Sequence, residues 1–313
     1  MSEPSSTLAP LTIWVVSDGR RGIENQALGL AEAVARELDN PARIERVTVR
    51  KDGFVTLPAN SHPDLWIGCG RAAIAEARRH RRVFPDCFFV YVQDPRGRYS
   101  SFDLIVAPAH DRLRRENALP MIGSPNRIAA SQLDEARARF ADEIDALPAP
   151  RAAVLIGGAS KRYRMTPKIG RYLEERIAGL LDRGVGVMAT VSRRTPEAIR
   201  KRLAERFGSD PRVWFFDGEG DNPYFAFLAA ADWIFVTEES TNMILEAATT
   251  GKPVYLLAMD GKPGKFSRLH AALAAQGALR PFLGTLETWA YPPLDETRRM
   301  AHAVIDRWQP APQ

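Results

Sequence analysis

Cysteine is nearly absent from this chain of 313 residues, with only Cys69 and Cys87. That count and spacing exclude a disulfide framework and a cysteine-ligated zinc site, and a reducing cytoplasm is the expected compartment. Long apolar runs are missing too. Stretches such as Trp233–Val236 are strand-sized, far short of the ~20 residues that span a bilayer. Met1 to Pro10 lack the basic start and apolar centre of a secretion signal, and read as a short loose leader. Acidic excess is lacking as well: 43 Lys and Arg stand against 38 Asp and Glu, a formal charge of +5. Such a balance favours anionic partners, phosphates or acidic lipid surfaces among them. Gly-x-Gly-x-x-Gly, Gly-Lys-Ser/Thr, Tyr-x-x-x-Lys and Asp-x-Asp do not occur. Nicotinamide-dependent chemistry, a P-loop and a metal-bridged diphosphate therefore have no support, and no cofactor or metal is expected.

What is present is the composition of a folded protein, 45% hydrophobic and 26% charged, long enough for two cores. Short apolar runs alternate with helical patterns. Strands are expected at Ile13–Val16, Ile44–Val49, Leu65–Ile67, Phe88–Val92 and Leu104–Val106, with a helix over about Ala72–Arg82. A helix over Leu133–Leu147 is broken by Pro148-Ala149-Pro150. The pattern then restarts with strands at Val154–Ile156, Val185–Val191, Val213–Phe216, Trp233–Val236 and Val254–Leu257. Helices are expected from Ser160 to about Leu181 and at Pro196–Phe207, Pro223–Ala230, Thr241–Thr250, Phe266–Gln276 and Asp295–Trp308. Buried strands separated by helices imply parallel sheets covered on both faces. The expected fold is α/β: two Rossmann-like doubly wound domains, 1–147 and 151–313, facing a cleft, with a C-terminal helix.

Three strand-to-helix loops carry candidate chemistry. In the first, Asp18, Gly19, Arg20, Arg21, Gly22, Glu24, Asn25 and Gln26 supply more polar groups than a capping turn needs, and the helix start attracts an anion. In the second, Gly157 and Gly158 would let backbone N–H groups approach a phosphate, with Ser160, Lys161 and Arg162 beside them. In the third, Ser240 is placed to cap a helix whose N–H groups at Thr241 and Asn242 would face a diphosphate, and Glu246 suits a ribose diol. Asp18 and His110, each near a strand end, are the candidates for a catalytic base. Arg78-Arg79-His80-Arg81-Arg82 is a basic run at a helix end, either solvated or in contact with anionic lipid. Aromatic residues are not interleaved with it, so nucleic acid is not an expected partner.

Glu238 and Glu246 flank seven residues, and Gly251-Lys252-Pro253 follows. This resembles the Glu-x7-Glu element of GT-B glycosyltransferases, which implies that both glutamates serve a nucleotide sugar. The blocks Trp14–Gly19 with Glu24-Asn25-Gln26, Gln93–Arg96, Ala107–Asp111, Ser192–Pro196 and Asn222-Pro223-Tyr224 resemble the mitochondrial-fission ELM-type family in the same order. That resemblance implies a GT-B-like fold and, by its name, a role in organelle division. The expected function is binding of a nucleotide-diphosphate sugar and its transfer to an anionic or lipid-linked envelope acceptor, in the cytoplasm or peripheral to the inner membrane. The competing reading is a non-catalytic GT-B-like scaffold at a membrane surface or in a protein complex.

Overall fold

A computed structural model describes residues 10–50, 52–59 and 61–309, so the expected leader lies outside them apart from Pro10. The first unit opens with β1 (Leu11–Ser17), α1 (Arg21–Glu37), β2 (Ala42–Thr48), β3 (Leu65–Cys69) and α2 (Arg71–Val83). It continues with β4 (Phe88–Val92), β5 (Leu104–Pro108) and β6 (Ala118–Met121). These strands form one parallel sheet in the order β2-β1-β3-β4-β5-β6. Every residue of β1 is buried, as a strand covered on both faces requires. The period of two divides its side chains: Ile13 and Val15 join Leu30 and Val34 of α1, while Trp14 and Val16 join Ala73 and Ala77 of α2.

The basic run on α2 does not form a patch of five cations. His80 is buried, with Nδ1 accepting the Trp66 indole N–H at 3.0 Å. Arg81 pairs with Asp103, and Arg79 with Glu76 at 3.2 Å. Burial, and secondarily the Arg79 charge, hold the His80 imidazole down at about 4 against an ordinary 6.5. The unfolded chain therefore binds the proton first as pH falls, and this contribution to stability is lost from about 6.5 downward. Going from pH 7 to 5 should cost about 2 kcal/mol through this residue. Urea unfolding at both pH values should show a smaller acid loss in His80→Gln; an equal loss would remove the assignment.

Next come α3 (Ala130–Arg139), α4 (Ala141–Asp145), β7 (Arg151–Ile156), β8 (Tyr163–Arg164), α5 (Pro167–Leu181), β9 (Gly186–Val191) and α6 (Glu197–Phe207). The second unit is completed by β10 (Val213–Phe216), α7 (Tyr224–Ala230), β11 (Trp233–Thr237), α8 (Thr241–Thr249), β12 (Val254–Leu257), β13 (Asp260–Gly261), α9 (Phe266–Ala275) and β14 (Leu279–Pro281). A last helix, α10 (Glu296–Trp308), follows. The main sheet is parallel in the order β10-β9-β7-β11-β12-β14, and β8 pairs with β13 in a separate antiparallel ribbon.

The division of the chain differs from the expected 1–147 and 151–313. The first unit runs to Arg127 and takes back the chain from Asp295, while Ile128–Leu294 form the second. Before the proline breaker, Phe140 meets Trp214 at 5.6 Å, and Ile144 and Leu147 are buried. On α10, Met300, Ala301 and Val304 enter the core beneath α1, and Thr297 accepts the Asn126 N–H at 3.1 Å. The helix expected over Leu133–Leu147 is two helices, and the one expected from Ser160 starts at Pro167. There Thr166 accepts the Ile169 N–H and proline occupies the first turn, a stronger start signal than the glycine turn. β6 and β14, unexpected from sequence, are short edge strands containing Pro120 and Pro281, which an edge tolerates. No helix among the described residues is long and apolar enough to cross a membrane.

Candidate functional site

In the second unit the order of strands reverses between β7 and β11, the two neighbours from which the sheet grows in opposite directions. Crevices outside the carboxyl ends of such strands are the ligand sites of open parallel sheets. Gly157 follows β7 there, and Glu238 follows β11.

These ends are stitched together. Thr237 Oγ1 accepts the Gly157 N–H at 2.8 Å, and Glu239 Oε1 accepts the Gly158 N–H at 2.7 Å. Thr195 Oγ1 donates to the Gly157 carbonyl at 2.5 Å and accepts from Ser192 at 3.0 Å. A Cβ on Gly157 would lie 1.7 Å from the Glu239 carboxylate, and one on Gly158 2.2 Å from the Arg194 carbonyl. The expectation that both glycines bring open N–H groups to a phosphate is therefore not met. Their donors are taken, and their small size accommodates protein atoms. Glu239 has a side chain with 0% exposure, Arg194 at 3.8 Å, and a carboxyl raised by burial. It is the central group of this loop cluster. The sequence showed it only as one letter of a motif, without a role.

The start of α8 is arranged differently. Ser240 occupies its N-cap position but makes no side-chain capping bond, and no acidic residue stands in the first turn. Thr241 and Asn242 thus begin a helix of nine residues whose N-terminal N–H groups carry a partial positive charge. Farther along, Glu246 Oε2 accepts the Tyr224 hydroxyl at 2.5 Å. Burial pushes its carboxyl up to about 7, against the opposing pull of that hydroxyl. Glu238, raised by burial, accepts the Met259 N–H at 2.7 Å. Ser160 closes a turn by accepting N–H groups of Arg162 and Tyr163, both at 3.2 Å, and leaves Lys161 and Arg162 exposed on the way to β8.

In the first unit the corresponding reversal lies between β1 and β3. Asp18 sits there, but its carboxylate bonds the Arg20 N–H and guanidinium, the latter at 2.7 Å, and is held below its usual range chiefly by that side chain. Gly19 takes a φ of +73°, and Arg20, Arg21 and Gly22 are exposed. Glu24 lies 4.0 Å from Arg46, and Asn25 is half-buried. Gln26 is buried, accepting from Gln93 at 2.9 Å and donating to the Gly22 carbonyl at 3.1 Å, so it braces the loop. His110 is buried near Asp111, at 3.8 Å. β3 and β4 separate its strand from that of Asp18. At the usual strand spacing the two strand ends are roughly 14 Å apart, so the two base candidates do not act as a pair. Among the described residues no cluster of three or more His, Cys, Asp or Glu could hold a metal ion.

Solved structures with this architecture include a putative UDP-N-acetylglucosamine 2-epimerase from Listeria monocytogenes, with TM-score 0.55 and 11% identity, covering 95% of this chain and 88% of that one. Another is the UDP-GlcNAc 2-epimerase of Methanocaldococcus jannaschii in complex with UDP-GlcNAc and UDP, with TM-score 0.53 and 11% identity, covering 95% and 100%. The likeness fixes the fold as GT-B-like, α/β with two Rossmann-like units. Among sequence relatives, the mitochondrial fission protein ELM1 of Arabidopsis thaliana is 29% identical over 304 residues, 88% of this chain and 69% of that protein. An uncharacterized protein of Rickettsia prowazekii (strain Madrid E) is 23% identical over 351 residues, covering 94% and 98%. The family model described as mitochondrial fission ELM1 matches residues 21–308, and the chain belongs to that family.

Proposed function

We propose that the second unit binds a nucleotide-diphosphate sugar, and that the chain transfers the sugar to an anionic or lipid-linked envelope acceptor received by the Asp18–Gln26 loop. The observation that carries this reading is the start of α8 at the strand-order reversal, where Ser240 makes no side-chain cap and no acidic residue stands in the first turn. Its N–H groups and partial charge suit a diphosphate without a metal. Glu246 stands about 7.5 Å farther along the axis, a span comparable to that from a diphosphate to its ribose. Neighbours of the same fold solved with UDP and UDP-GlcNAc support the ligand class. Catalysis would then rest on positioning and on stabilising the departing diphosphate.

The test is calorimetric titration of the full chain with uridine diphosphate in the presence of a chelator. Saturable binding is expected, with a thermal midpoint that rises as the nucleotide concentration exceeds its Kd. No heat at millimolar nucleotide, repeated with guanosine, cytidine and thymidine diphosphates, would overturn the donor-site reading.

One observation favours a non-catalytic scaffold instead. Asp18 is tied up by Arg20, and His110 lies three strands away, so neither stands ready as a base. The two readings separate on turnover. Release of UDP from UDP-sugar with an isolated envelope fraction supports the transferase; nucleotide binding without release supports the scaffold.

A further inference from the structure

The ribbon of β8 and β13 joins two stretches of sequence about a hundred residues apart. Asp260 lies opposite Arg164 and Gly261 opposite Tyr163, and the Lys262 N–H reaches the Arg162 carbonyl at 3.4 Å. The Arg162 guanidinium rests against Gly264, where a Cβ would be 2.0 Å from Nη1. Residues 160–168 and 260–268 together carry seven cations, Lys161, Arg162, Arg164, Lys168, Lys262, Lys265 and Arg268, against one carboxylate, Asp260. That carboxylate already accepts the Thr166 hydroxyl at 2.7 Å. All the cations but half-buried Lys265 are exposed. No salt bridge to a described residue holds Arg164, Lys168 or Lys262.

Placement adds to the count. Lys168 lies in the first turn of α5, and Lys265 and Arg268 flank the start of α9, where the helix dipole disfavours positive charge. Neither helix has an acidic residue in its first turn to offset them. Local folding thus works against this concentration of charge, whereas the run on α2 is largely absorbed by burial and ion pairs.

We infer that the β8–β13 ribbon and the helix starts beside it dock the protein on an anionic phospholipid bilayer. A group of four to eight cations on one surface is the size that anionic headgroups attract. A single-stranded nucleic acid would call for exposed aromatic platforms, and here Tyr163 is 1% exposed with its ring turned inward from the strand that shows Arg164 to solvent. Leu283, 88% exposed just beyond β14, lies at the same carboxyl edge of the sheet as the end of β12, which leads into the ribbon. It offers an apolar group to the headgroup layer. The surface adjoins the proposed nucleotide site, since Met259 just before β13 donates to Glu238 at 2.7 Å, but it does not require that reading.

The experiment is flotation of the full chain with vesicles of phosphatidylcholine alone or with phosphatidylglycerol added. Partitioning is expected only onto the anionic vesicles, and high salt should release it. Replacing Arg164, Lys168 and Lys262 by Gln should weaken partitioning by about a hundredfold, with the folded state checked by circular dichroism. Replacing Arg78, Arg79 and Arg82 by Gln removes the same charge from α2 and should leave it nearly unchanged. Equal losses in the two variants, equal binding to both vesicle types, or binding to neither would overturn the proposal. So would retention of an oligonucleotide by a chain that ignores anionic vesicles.

Discussion

Gly158→Ala should destabilise the protein by roughly 3 kcal/mol or more, whether or not any nucleotide is present. The added methyl would stand 2.2 Å from the Arg194 carbonyl, and what it meets is main chain rather than the flexible end of a side chain. Relief requires moving the β9–α6 loop, which Thr195 ties to Gly157 and which Ser192 anchors on the Ile156 carbonyl at 2.8 Å. A domain held together by about 5–15 kcal/mol can lose a large share of its stability in this way. Urea unfolding of the apo protein measures it. A glycine kept only to admit a phosphate would show the opposite pattern, an unchanged midpoint with weaker nucleotide binding. That result would reinstate the phosphate-cradle reading of the loop.

Glu246→Gln should stabilise the apo protein at alkaline pH while weakening the nucleotide. Burial raises the carboxyl from 4.5 to about 7, so between those values the folded chain holds a proton that the unfolded chain has lost. Stability from this group is complete below about 4.5 and falls as pH rises through 7. A neutral amide escapes that loss and can still accept the Tyr224 hydroxyl. A gain of about 3 kcal/mol is expected near pH 8 and less than about 1 near pH 5. Thermal unfolding of both proteins at the two pH values checks the sign. The same substitution deprives a ribose of a charged acceptor, about 1.5–3 kcal/mol, which is roughly ten- to a hundredfold in Kd. A variant that binds uridine diphosphate as tightly as the parent would reduce Glu246 to a helix residue whose ionisation merely costs stability.

The central strands were legible because each is a short apolar run between turn residues, and Leu11–Ser17 is buried along its whole length. β6 and β14 were not, since proline on an edge strand erases the run that marks its interior neighbours. The ownership of α10 was illegible for another reason. Its apolar face, Met300, Ala301 and Val304, announces that it packs but not against which unit. At the site, Glu246 stood out as a carboxylate among apolar neighbours, and the structure accounts for its burial by adding Tyr224. Glu239 was hidden beside the more conspicuous Glu238, because only folding brings Gly157 and Gly158 against it. Gln26, expected among ligand contacts, turns out to brace its own loop, since its partner Gln93 lies 67 residues away.

The return of α10 to the first unit has a consequence for synthesis on the ribosome. Met300, Ala301 and Val304 fill the core beneath α1, yet they are translated only after all of Ile128–Leu294. At ordinary elongation rates that delay is roughly 10–30 s, during which the face of α1 that receives them is uncovered. The second unit, contiguous in the chain, awaits no such distant segment. The first unit, although N-terminal, therefore cannot complete its core before the end of the chain has been made. A released chain ending at Leu294 should present a folded second unit joined to a first unit that is still open to chaperones and proteases.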